Sequence, residues 1–300
     1  RRSEKNAGVL AKGPAPEDLP HATSRNQTND EKYQERTGIM RSLDIAATGM
    51  VAQQRNVEVV ANNLANMNTT AFMRRRTEFH DLIYQDLRRV GTTSSDAGTV
   101  VPSGAQLGLG VKLAAVYRIH EQGNLEATDN TFDMAVQGKG FFQITLPTGA
   151  TAYSRDGTLQ LDADGNIVTH DGFTLEPGIT VPNNAIDVTI NQSGEVLVKI
   201  EGQVSFRNGG QVQLANFANE TGLQAEGDNL FTETPASGTA TTGNPGSVGF
   251  GSILQGFLET SNVNAVEEIS NLISAQRAYE MNSKVIKTSD EMMGTLAALR

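Results

Sequence analysis

Apolar and small residues form a regular stripe near each end of the chain. From Met40 to Asn66 they recur at alternating steps of four and three residues, and the same stepping begins again at Ala265. This is the 3.5-residue repeat of helices that pack along other helices. We therefore predict a long helix over each repeat, the first starting near Ser42 and ending near Asn66. The stripes consist of Leu43, Ala47, Met50, Val57, Ala61 and Leu64, and of Ile269, Leu272, Gln276, Tyr279, Ile286 and Met293.

The composition of the stripes bears on what they pack against. Periodicity alone fits the core face of a globular protein as well as it fits a self-assembly surface. However, the stripes mix Ala and Gln with Leu and Ile, which is weak for two helices in isolation and better suited to many identical neighbours. We predict a coiled-coil-like pair of terminal helices whose stripes form a polymerisation interface.

The hydrophobic period changes to two between the helices, which predicts strands. The alternating runs lie at residues 132–136, 140–146, 158–161, 166–168, 186–190, 195–200, 203–206 and 211–217. Three Asp-Gly dipeptides, Asp156-Gly157, Asp164-Gly165 and Asp171-Gly172, predict hairpin turns because these residues tolerate positive φ. Residues 208–210 (Asn-Gly-Gly) predict a further connection. The middle of the chain is therefore predicted to be all-β and rich in hairpins.

Composition divides the rest of the chain. Gly91–Gly110 and Ala236–Gly251 are rich in Gly, Ser and Thr, which is typical of extended connectors. Residues 1–39 carry charges of both signs, several prolines and few large apolar side chains, so they predict a disordered tail or a mis-assigned start. The predicted organisation is mixed α and all-β, with a discontinuous helical domain (40–72 plus 263–300), an extended connector (73–130 plus 236–262) and a central β domain (131–235).

Charge and cysteine content exclude several classes of protein. The 300 residues contain no Cys and carry a formal net charge of −10. Disulfide scaffolds, Cys-ligated metals and thiol nucleophiles are therefore excluded, and an acidic chain is a poor sequence-independent binder of nucleic acid. No apolar run approaches the length of a membrane span, so we expect no direct membrane insertion. No apolar block of a signal peptide follows Arg1 and Arg2.

The sequence predicts no catalytic residue, no metal ligand set and no cofactor site. Its histidines, including His120, lack a second His at ligand spacing. Asp162-Ala163-Asp164 begins like a calcium loop but lacks the closing Glu. The basic cluster Arg74-Arg75-Arg76 could bind phosphate or lipid, although basic residues just past a helix end also favour its dipole.

Four motifs resemble those of bacterial flagellar rod and hook proteins. They lie at residues 62–72, 137–142, 153–157 and 258–284. Met67, Ala71 and Met73 stand where that family more usually has Val, Gly and Lys; a Gly at position 71 would supply a positive φ that Ala resists. The residues that carry the resemblance are Asn63, Leu64, Ala65, Asn66, Asn68, Thr69, Thr70 and Phe72 in the first motif, Gly138, Gly140, Phe141 and Phe142 in the second, Tyr153, Ser154, Arg155, Asp156 and Gly157 in the third, and Glu259, Ser261, Asn262, Val263, Asn264, Gln276, Arg277, Tyr279 and Asn282 in the last.

The resemblance implies a structural subunit of a helical tube, not an enzyme. It implies that terminal helices line the tube, the connector locks neighbours and the β domain lies outside. Residues 84–111 resemble the extra stretch of distal rod subunits, with hook and proximal rod subunits as alternatives. The implied partners are further copies of the chain, proximal rod and hook subunits, the L- and P-ring proteins and the flagellar export apparatus. The implied location is the basal-body rod in the periplasm, reached without a cleaved signal.

A different class of function stays open for the β domain. A protein beside the cell wall could bind or cleave peptidoglycan, which would require paired carboxylates in a cleft. Asp162, Asp164 and Asp171 are the candidates, although turn chemistry also accounts for them.

Overall fold

The computed structural model describes residues 23–91, 103–203 and 205–298, and within these ranges a long helix at each end encloses a run of short strands. The helices are α1 (Thr23–Ala65) and α2 (Ala265–Ala298). The strands are β1 (Arg75–Asp81), β2 (Tyr84–Arg88), β3 (Ala105–Gly108), β4 (Val111–Arg118), β5 (Leu125–Ala127), β6 (Met134–Gln137), β7 (Phe141–Thr145), β8 (Thr151–Ser154), β9 (Leu159–Leu161), β10 (Ile167–Thr169), β11 (Thr174–Leu175), β12 (Ala185–Ile190), β13 (Glu195–Ile200), β14 (Arg207–Gln211), β15 (Leu214–Asn216), β16 (Gln224–Gly227), β17 (Leu230–Thr232), β18 (Thr241–Gly243), β19 (Ser252–Gln255) and β20 (Phe257–Glu259).

The helix α1 differs from the prediction at its start and agrees at its end. It begins at Thr23 rather than near Ser42, so residues 23–39 are helical instead of forming a disordered tail; residues 1–22 lie outside the described ranges. Extending an existing helix adds one hydrogen bond per residue and avoids the cost of a new nucleus, which favours this continuation. At the other end, the Asn66 side chain donates to the Asn62 carbonyl (2.8 Å) as α1 ends at Ala65.

The helices α1 and α2 lie side by side and run antiparallel. The hydroxyl oxygens of Ser42 and Ser289 are 2.9 Å apart, and Asn63 Nδ2 donates to Glu268 Oε2 at 3.2 Å. As the residue number rises along α1, the number of its partner on α2 therefore falls. The helix α1 also packs on the β1–β4 ribbon, where the Val111 amide donates to Thr48 Oγ1 (3.3 Å).

The largest sheet is antiparallel and has nine strands. Its main order is β16-β17-β8-β7-β11-β10-β9, and β15 pairs with both β7 and β18. Successive residues of β7 face opposite sides of the sheet. Phe142 enters a core shared with the three-stranded sheet β12-β13-β14, whereas Phe141 enters an aromatic cluster with Phe217 and Phe231.

Four two-stranded ribbons link this region to the helices. Their pairs are β1–β4, β2–β3, β5–β20 and β6–β19, all antiparallel. We call β6 to β19 the β body, and we call the helices with β1 to β5 and β20 the stalk. Because β5 and β20 come from distant segments of the chain, the outgoing and returning strands of the stalk hold each other.

The Asp-Gly prediction is correct at two of three positions. Gly165 and Gly172 both have φ +82°, in the loops that join β9 to β10 and β10 to β11. Asp156-Gly157 makes no hairpin, because β8 and β9 are separated in the sheet. Gly157 instead passes the backbone of Met134 so closely that a Cβ would overlap its carbonyl oxygen. A crossing needs Gly there for space, which the dipeptide alone does not distinguish from a turn.

Two further segments differ from the predicted boundaries. Gln203, Ser205 and Phe206 are not in a strand, and β14 instead contains residues 208–210, the predicted connection. A bulge opposite Val196 and Leu197 accommodates these glycines. Much of the predicted second connector packs on the β body: β18 pairs with β15, and Ile253 is buried in the core. Of the first connector, residues 92–102 lie outside the described ranges, and β3 pairs with β2.

Candidate functional site

Small and polar residues form the contact between α1 and α2. Besides the two hydrogen bonds above, a Cβ on Gly49 would lie 2.7 Å from Asn282 Nδ2, so the helices approach closely there. From one contacting pair to the next, the residue number rises by a multiple of seven along α1 and falls by the same amount along α2. The same spacing places Asn56 opposite Ala275 as a fourth position. We call these four positions the polar ladder: Ser42, Gly49, Asn56 and Asn63 on α1, and Glu268, Ala275, Asn282 and Ser289 on α2.

The predicted stripe on α1 lies one residue away from the ladder. Each of Leu43, Met50, Val57 and Leu64 follows a ladder residue and is half-buried, whereas Ala47 and Ala61 are exposed. Successive helix residues differ by about 100° in direction, so the stripe flanks the contact with α2. The apolar stripe of α1 is therefore left at the edge of the helix pair, and small and polar side chains occupy its centre.

The predicted stripe on α2 is also largely uncovered. Ile269 is 45% exposed and Tyr279 is 44% exposed, and Gln276 is exposed as well. Leu272, Ile286 and Met293 are half-buried. Val266, Ile273, Met281, Val285 and Met292 add further exposed apolar side chains to this helix. The subunit thus presents apolar surface along both helices, a feature that isolated soluble chains usually avoid.

The motif asparagines join the helices to the stalk strands by replacing backbone partners. Asn63 is 1% exposed; its Oδ1 accepts from the Arg75 amide and its Nδ2 donates to the Arg75 carbonyl, both at 2.8 Å. Asn262 Oδ1 accepts from the Arg74 amide at 2.7 Å, and its Nδ2 donates to the carbonyls of Ile119 and Glu121, each at 2.9 Å. Each amide side chain fits a gap where strand pairing would otherwise stop.

A buried ion pair joins the β body to the stalk. Arg155 follows β8 and Glu259 ends β20, and their side chains are 6% and 4% exposed. Arg155 Nε and Nη2 lie 3.0 and 2.9 Å from Glu259 Oε2. The other carboxylate oxygen of Glu259 accepts from the Gly123 amide at 3.0 Å. We call this pair with Asn63, Asn262 and Arg74 the junction.

Ala71 adopts the left-handed backbone that its motif position requires. Its φ is +55°, it is 5% exposed, and its amide donates to the Glu259 carbonyl at 2.8 Å. The turn after α1 therefore forms with Ala in place of Gly. The hydrogen bond from the Ala71 amide and the surrounding packing stabilise this conformation, which costs an isolated Ala about 1 kcal/mol or more.

The second motif forms the entry to the β body. Gly138 and Gly140 have φ +105° and +135°, and a Cβ on Gly140 would lie 3.2 Å from Leu214. Phe141 and Phe142 follow at once and enter two separate cores on opposite faces of the sheet. The glycines thus allow the backbone to turn sharply beside the core.

The remaining motif residues have smaller roles at the helix ends. Thr69 Oγ1 donates to Asn66 Oδ1 (3.1 Å), and Asn264 Oδ1 accepts from the amide of Val266 (3.1 Å) at the start of α2. The other residues of the first and last motifs are exposed or half-buried: Ala65, Asn68, Thr70, Phe72, Ser261, Val263, Arg277 and Gln276.

Sequence reasoning missed two functional candidates, Arg155 and His120. Arg155 stands inside the third motif, but only its burial identifies it. His120 lies in the junction cavity, about 230 Å³, which Arg155 and Glu259 also line. Burial, followed by the positive charges of Arg118 and Arg155, lowers the pKa of His120 to about 4. The imidazole is therefore neutral at pH 7, although Glu220 Oε2 is 3.6 Å from its Nδ1.

The other chemical candidates of the sequence do not gather into a site. Arg74 pairs with Glu121 and Glu267, so at least this residue of the basic cluster serves the junction. Asp162 and Asp164 lie in the β9–β10 loop, whereas Asp171 lies in the β10–β11 loop, at the opposite end of β10. Within the described residues no three His, Asp or Glu side chains are grouped as metal ligands, and no helix is apolar enough over a sufficient length to cross a membrane.

Comparison with known proteins places the whole arrangement in one family. Residues 43–72 match the flagella basal body rod protein family, residues 135–198 the flagellar hook protein FlgE/F/G D1 domain and residues 254–299 the flagellar basal body rod FlgEFG protein C-terminal family. The flagellar basal-body rod protein FlgG of Caulobacter vibrioides is 56% identical over 87% of this chain and 100% of its own length. The proteins of that name from Agrobacterium fabrum and Bacillus subtilis are 53% and 37% identical, over 84% and 87% of this chain and 97% and 100% of their own lengths. The chain therefore belongs to the family of bacterial flagellar basal-body rod proteins.

Proposed function

We propose that this chain is a structural subunit of the distal rod, the drive shaft that transmits torque to the flagellar hook. It assembles into a helical tube and performs no catalytic turnover. The observation that carries the proposal is the separation of two surfaces on the helices. The polar ladder occupies the contact inside one subunit, while the apolar stripes lie outside it and are available to other copies.

The energetics of the two surfaces support this division. Ser42 and Asn282 have small or polar side chains and Gly49 has none, so these contacts between α1 and α2 add little hydrophobic stabilisation. We infer a coiled-coil-like arrangement in which this weak contact is completed by neighbouring subunits packing on Leu43, Met50 and Ile269. Covering the exposed apolar side chains of both helices in every copy then drives assembly.

The distal rod is favoured over the proximal rod and the hook by the stretch after β1. Residues 84–111 include the ribbon β2–β3, in which Tyr84 and Leu87 are more than half exposed, and Ile83 just before it is exposed as well. Such exposed apolar side chains are suited to contacts with neighbouring copies. The relatives named FlgG support the same choice, because this chain matches them over nearly the whole of their length.

The proposal carries a set of partners and a location. We propose that the tube crosses the periplasm, joins proximal rod subunits to hook subunits and turns inside the L- and P-ring proteins. The subunit reaches this place through the flagellar export apparatus. The two parts of the chain fit this scheme. The helices, whose apolar side chains lack partners within one subunit, would lie near the axis of the tube. The well-packed β body would lie outside, with the stalk strands between.

Single charges in the stripes test the proposal. In the purified full chain, Met50→Glu and Ile269→Glu place a carboxylate at each subunit contact, where burying it without a partner costs several kcal/mol. The critical concentration for assembly, measured by sedimentation and electron microscopy, should rise at least tenfold. Ile186→Glu is the matched control, because Ile186 is 64% exposed on the β body. Assembly of the stripe variants at the wild-type concentration, or equal loss in the control, would contradict the proposal.

A further inference from the structure

The β body and the stalk meet at a guanidinium whose hydrogen-bonding capacity is fully used. An arginine has five N–H donors in a fixed plane. Those of Arg155 match five contacts: Nε and Nη2 with Glu259 Oε2, Nη1 with the carbonyls of Gly138 and Gly140 (2.7 Å each), and Nη2 with the Val136 carbonyl (3.3 Å). The three carbonyls belong to the entry of the β body, whereas the carboxylate belongs to the stalk.

The carboxylate is held as firmly as the guanidinium. Glu259 Oε1 accepts from the Gly123 amide, and Glu259 also pairs through its backbone with Leu125 of β5 and with the Ala71 amide. It is therefore tied to the outgoing strand, the returning strand and the turn after α1. A rotation of the β body about this point would break several directional bonds at once.

Other hydrogen bonds also cross from the stalk to the β body: Gln122 Nε2 donates to the Val136 carbonyl (2.9 Å), Gln122 Oε1 accepts from the Gly138 amide (3.1 Å), and Asn229 Nδ2 donates to the Thr70 carbonyl (3.1 Å). None of these side chains matches the five contacts of Arg155, and the apolar and cation–π contacts nearby are less directional.

Met73 of the stalk packs into the aromatic cluster of Phe141, and the Arg118 guanidinium lies 5.2 Å from the centre of the Phe231 ring. Apolar packing and cation–π attraction both tolerate sliding and tilting. They hold the β body and the stalk together without fixing one angle as tightly as a planar set of hydrogen bonds does.

We propose that the Arg155–Glu259 pair is an orientation lock, in which two positioning residues fix the angle of the β body on the stalk. A buried ion pair is often no more stabilising than two apolar residues of similar volume, so its distinctive contribution here is directional. The inference deepens the proposed function and rests on it, because a straight shaft needs every copy to present its β body at one angle. Losing the lock should yield a subunit that folds but whose β body samples a range of angles on the stalk.

Two spin labels measure that angle directly in the cysteine-free chain. Ile186→Cys labels the β body, and Val266→Cys, 78% exposed on α2, labels the stalk. Pulsed electron-electron double resonance on the full-length subunit then gives the distribution of label distances. The double variant Arg155→Met with Glu259→Leu removes the pair without leaving an unpaired buried charge. The carbonyls of Gly138 and Gly140 and the Gly123 amide lose their partners, so we expect a lower melting temperature with a transition that is still cooperative. Arg155→Lys keeps the charge but not the five-donor plane.

Both variants should broaden the distance distribution, by at least twofold in width, with circular dichroism unchanged. Breaking the exposed pair Arg55–Glu58 by Arg55→Met is the control and should leave the width unchanged. A wild-type width in the double variant and in Arg155→Lys would overturn the orientation lock and assign the pair to stability alone. The measurement is made on the unassembled subunit, so such a result would not affect the assembly test of the proposed function.

Discussion

At the scale of single residues, the junction depends on side chains that supply the hydrogen-bond donors and acceptors that a neighbouring strand would otherwise supply. Asn63 and Asn262 each bind both a backbone donor and a backbone acceptor at the ends of the stalk strands, and both lie in motifs recognised from sequence. Ala71 adds a left-handed residue whose amide reaches Glu259. These positions explain why short polar motifs, and not long apolar runs, mark the place where the two ends of the chain meet.

The left-handed backbone of Ala71 leads to a prediction about two substitutions. Ala71→Val places a β-branched side chain at φ +55° and should reduce the free energy of unfolding by about 2 kcal/mol or more. Ala71→Gly should stay within about 1 kcal/mol of wild type, because strain relief offsets the lost methyl and the greater freedom of the unfolded chain. Urea denaturation measures both. Equal effects would mean that the backbone of residue 71 is not left-handed in solution.

The buried imidazole of His120 predicts a specific pH dependence. Its pKa is about 4 in the folded chain and near 6.5 when unfolded, so the unfolded state takes up the proton first as the pH falls. This group's contribution to stability is complete above about pH 6.5 and is lost progressively down to about pH 4. His120→Gln, which does not titrate, should show a shallower decline over that window. Thermal melts at matched pH values compare the two chains, and parallel curves would contradict the burial of His120.

At the scale of elements, the helices show what a heptad pattern can and cannot predict. The apolar stripe correctly indicated helices over 40–65 and 265–298, but it did not identify the face that meets the partner helix. The observed contact is one residue away on α1, where Ser42, Gly49 and Asn63 lie. Apolar periodicity identifies the most hydrophobic face, and in a subunit built for assembly that face need not be the intramolecular one. A spacing of seven among polar residues was the missed signal.

For the strands too, the sequence pattern indicates where an element lies but not which element it contacts. The sequence pattern located β7, β12 and β13 to within about a residue, because β12 and β13 alternate between buried and more exposed side chains and β7 is a short apolar run buried on both faces. It misplaced β14, whose Asn-Gly-Gly residues have no apolar side chains to alternate, and the turn signal at Asp156-Gly157 predicted a hairpin that does not form. Strand neighbours depend on contacts between distant segments, which local pattern does not contain. For the same reason the Arg155–Glu259 pair could not be predicted.

The close approach of α1 and α2 at Gly49 gives a prediction at this scale. Gly49→Leu adds a branched side chain where even a Cβ lies 2.7 Å from Asn282 Nδ2, and should separate the helices there. Hydrogen exchange of the α1 amides around residue 49 should increase at least tenfold in the full-length subunit. Combining it with Asn282→Ala makes room and should restore at least half of the lost protection. Gly38→Leu, with no atoms near its Cβ, is the control.

At the scale of the whole molecule, the chain leaves along one helix, forms the β body and returns along the other. The two passages are joined by β5–β20, by the junction and by the polar ladder. A load applied to the β body therefore reaches both helices through paired strands and a buried ion pair. This continuity suits a subunit that transmits torque.

Removing the returning helix separates folding from assembly. Deletion of Ala265–Arg300 leaves the cores of the β body intact, since Phe142 and Ile253 lie outside the deleted segment. We predict a chain with a cooperative melting transition and unchanged β signal in circular dichroism, but no polymer and no motility when it replaces the full chain. Pelletable tubes from the truncated chain would show that α2 is dispensable for the assembly surface.

The most direct test of the central claim is a cryo-electron microscopy map of the polymer assembled from the full chain. We predict a tube whose inner layer consists of α1 and α2 from successive copies, with Leu43, Met50, Val57 and Ile269 in contact with neighbouring subunits and the β body outside. The polar ladder should remain an intramolecular contact in every copy. A map in which these stripes face solvent, or in which the β body lines the channel, would contradict the account.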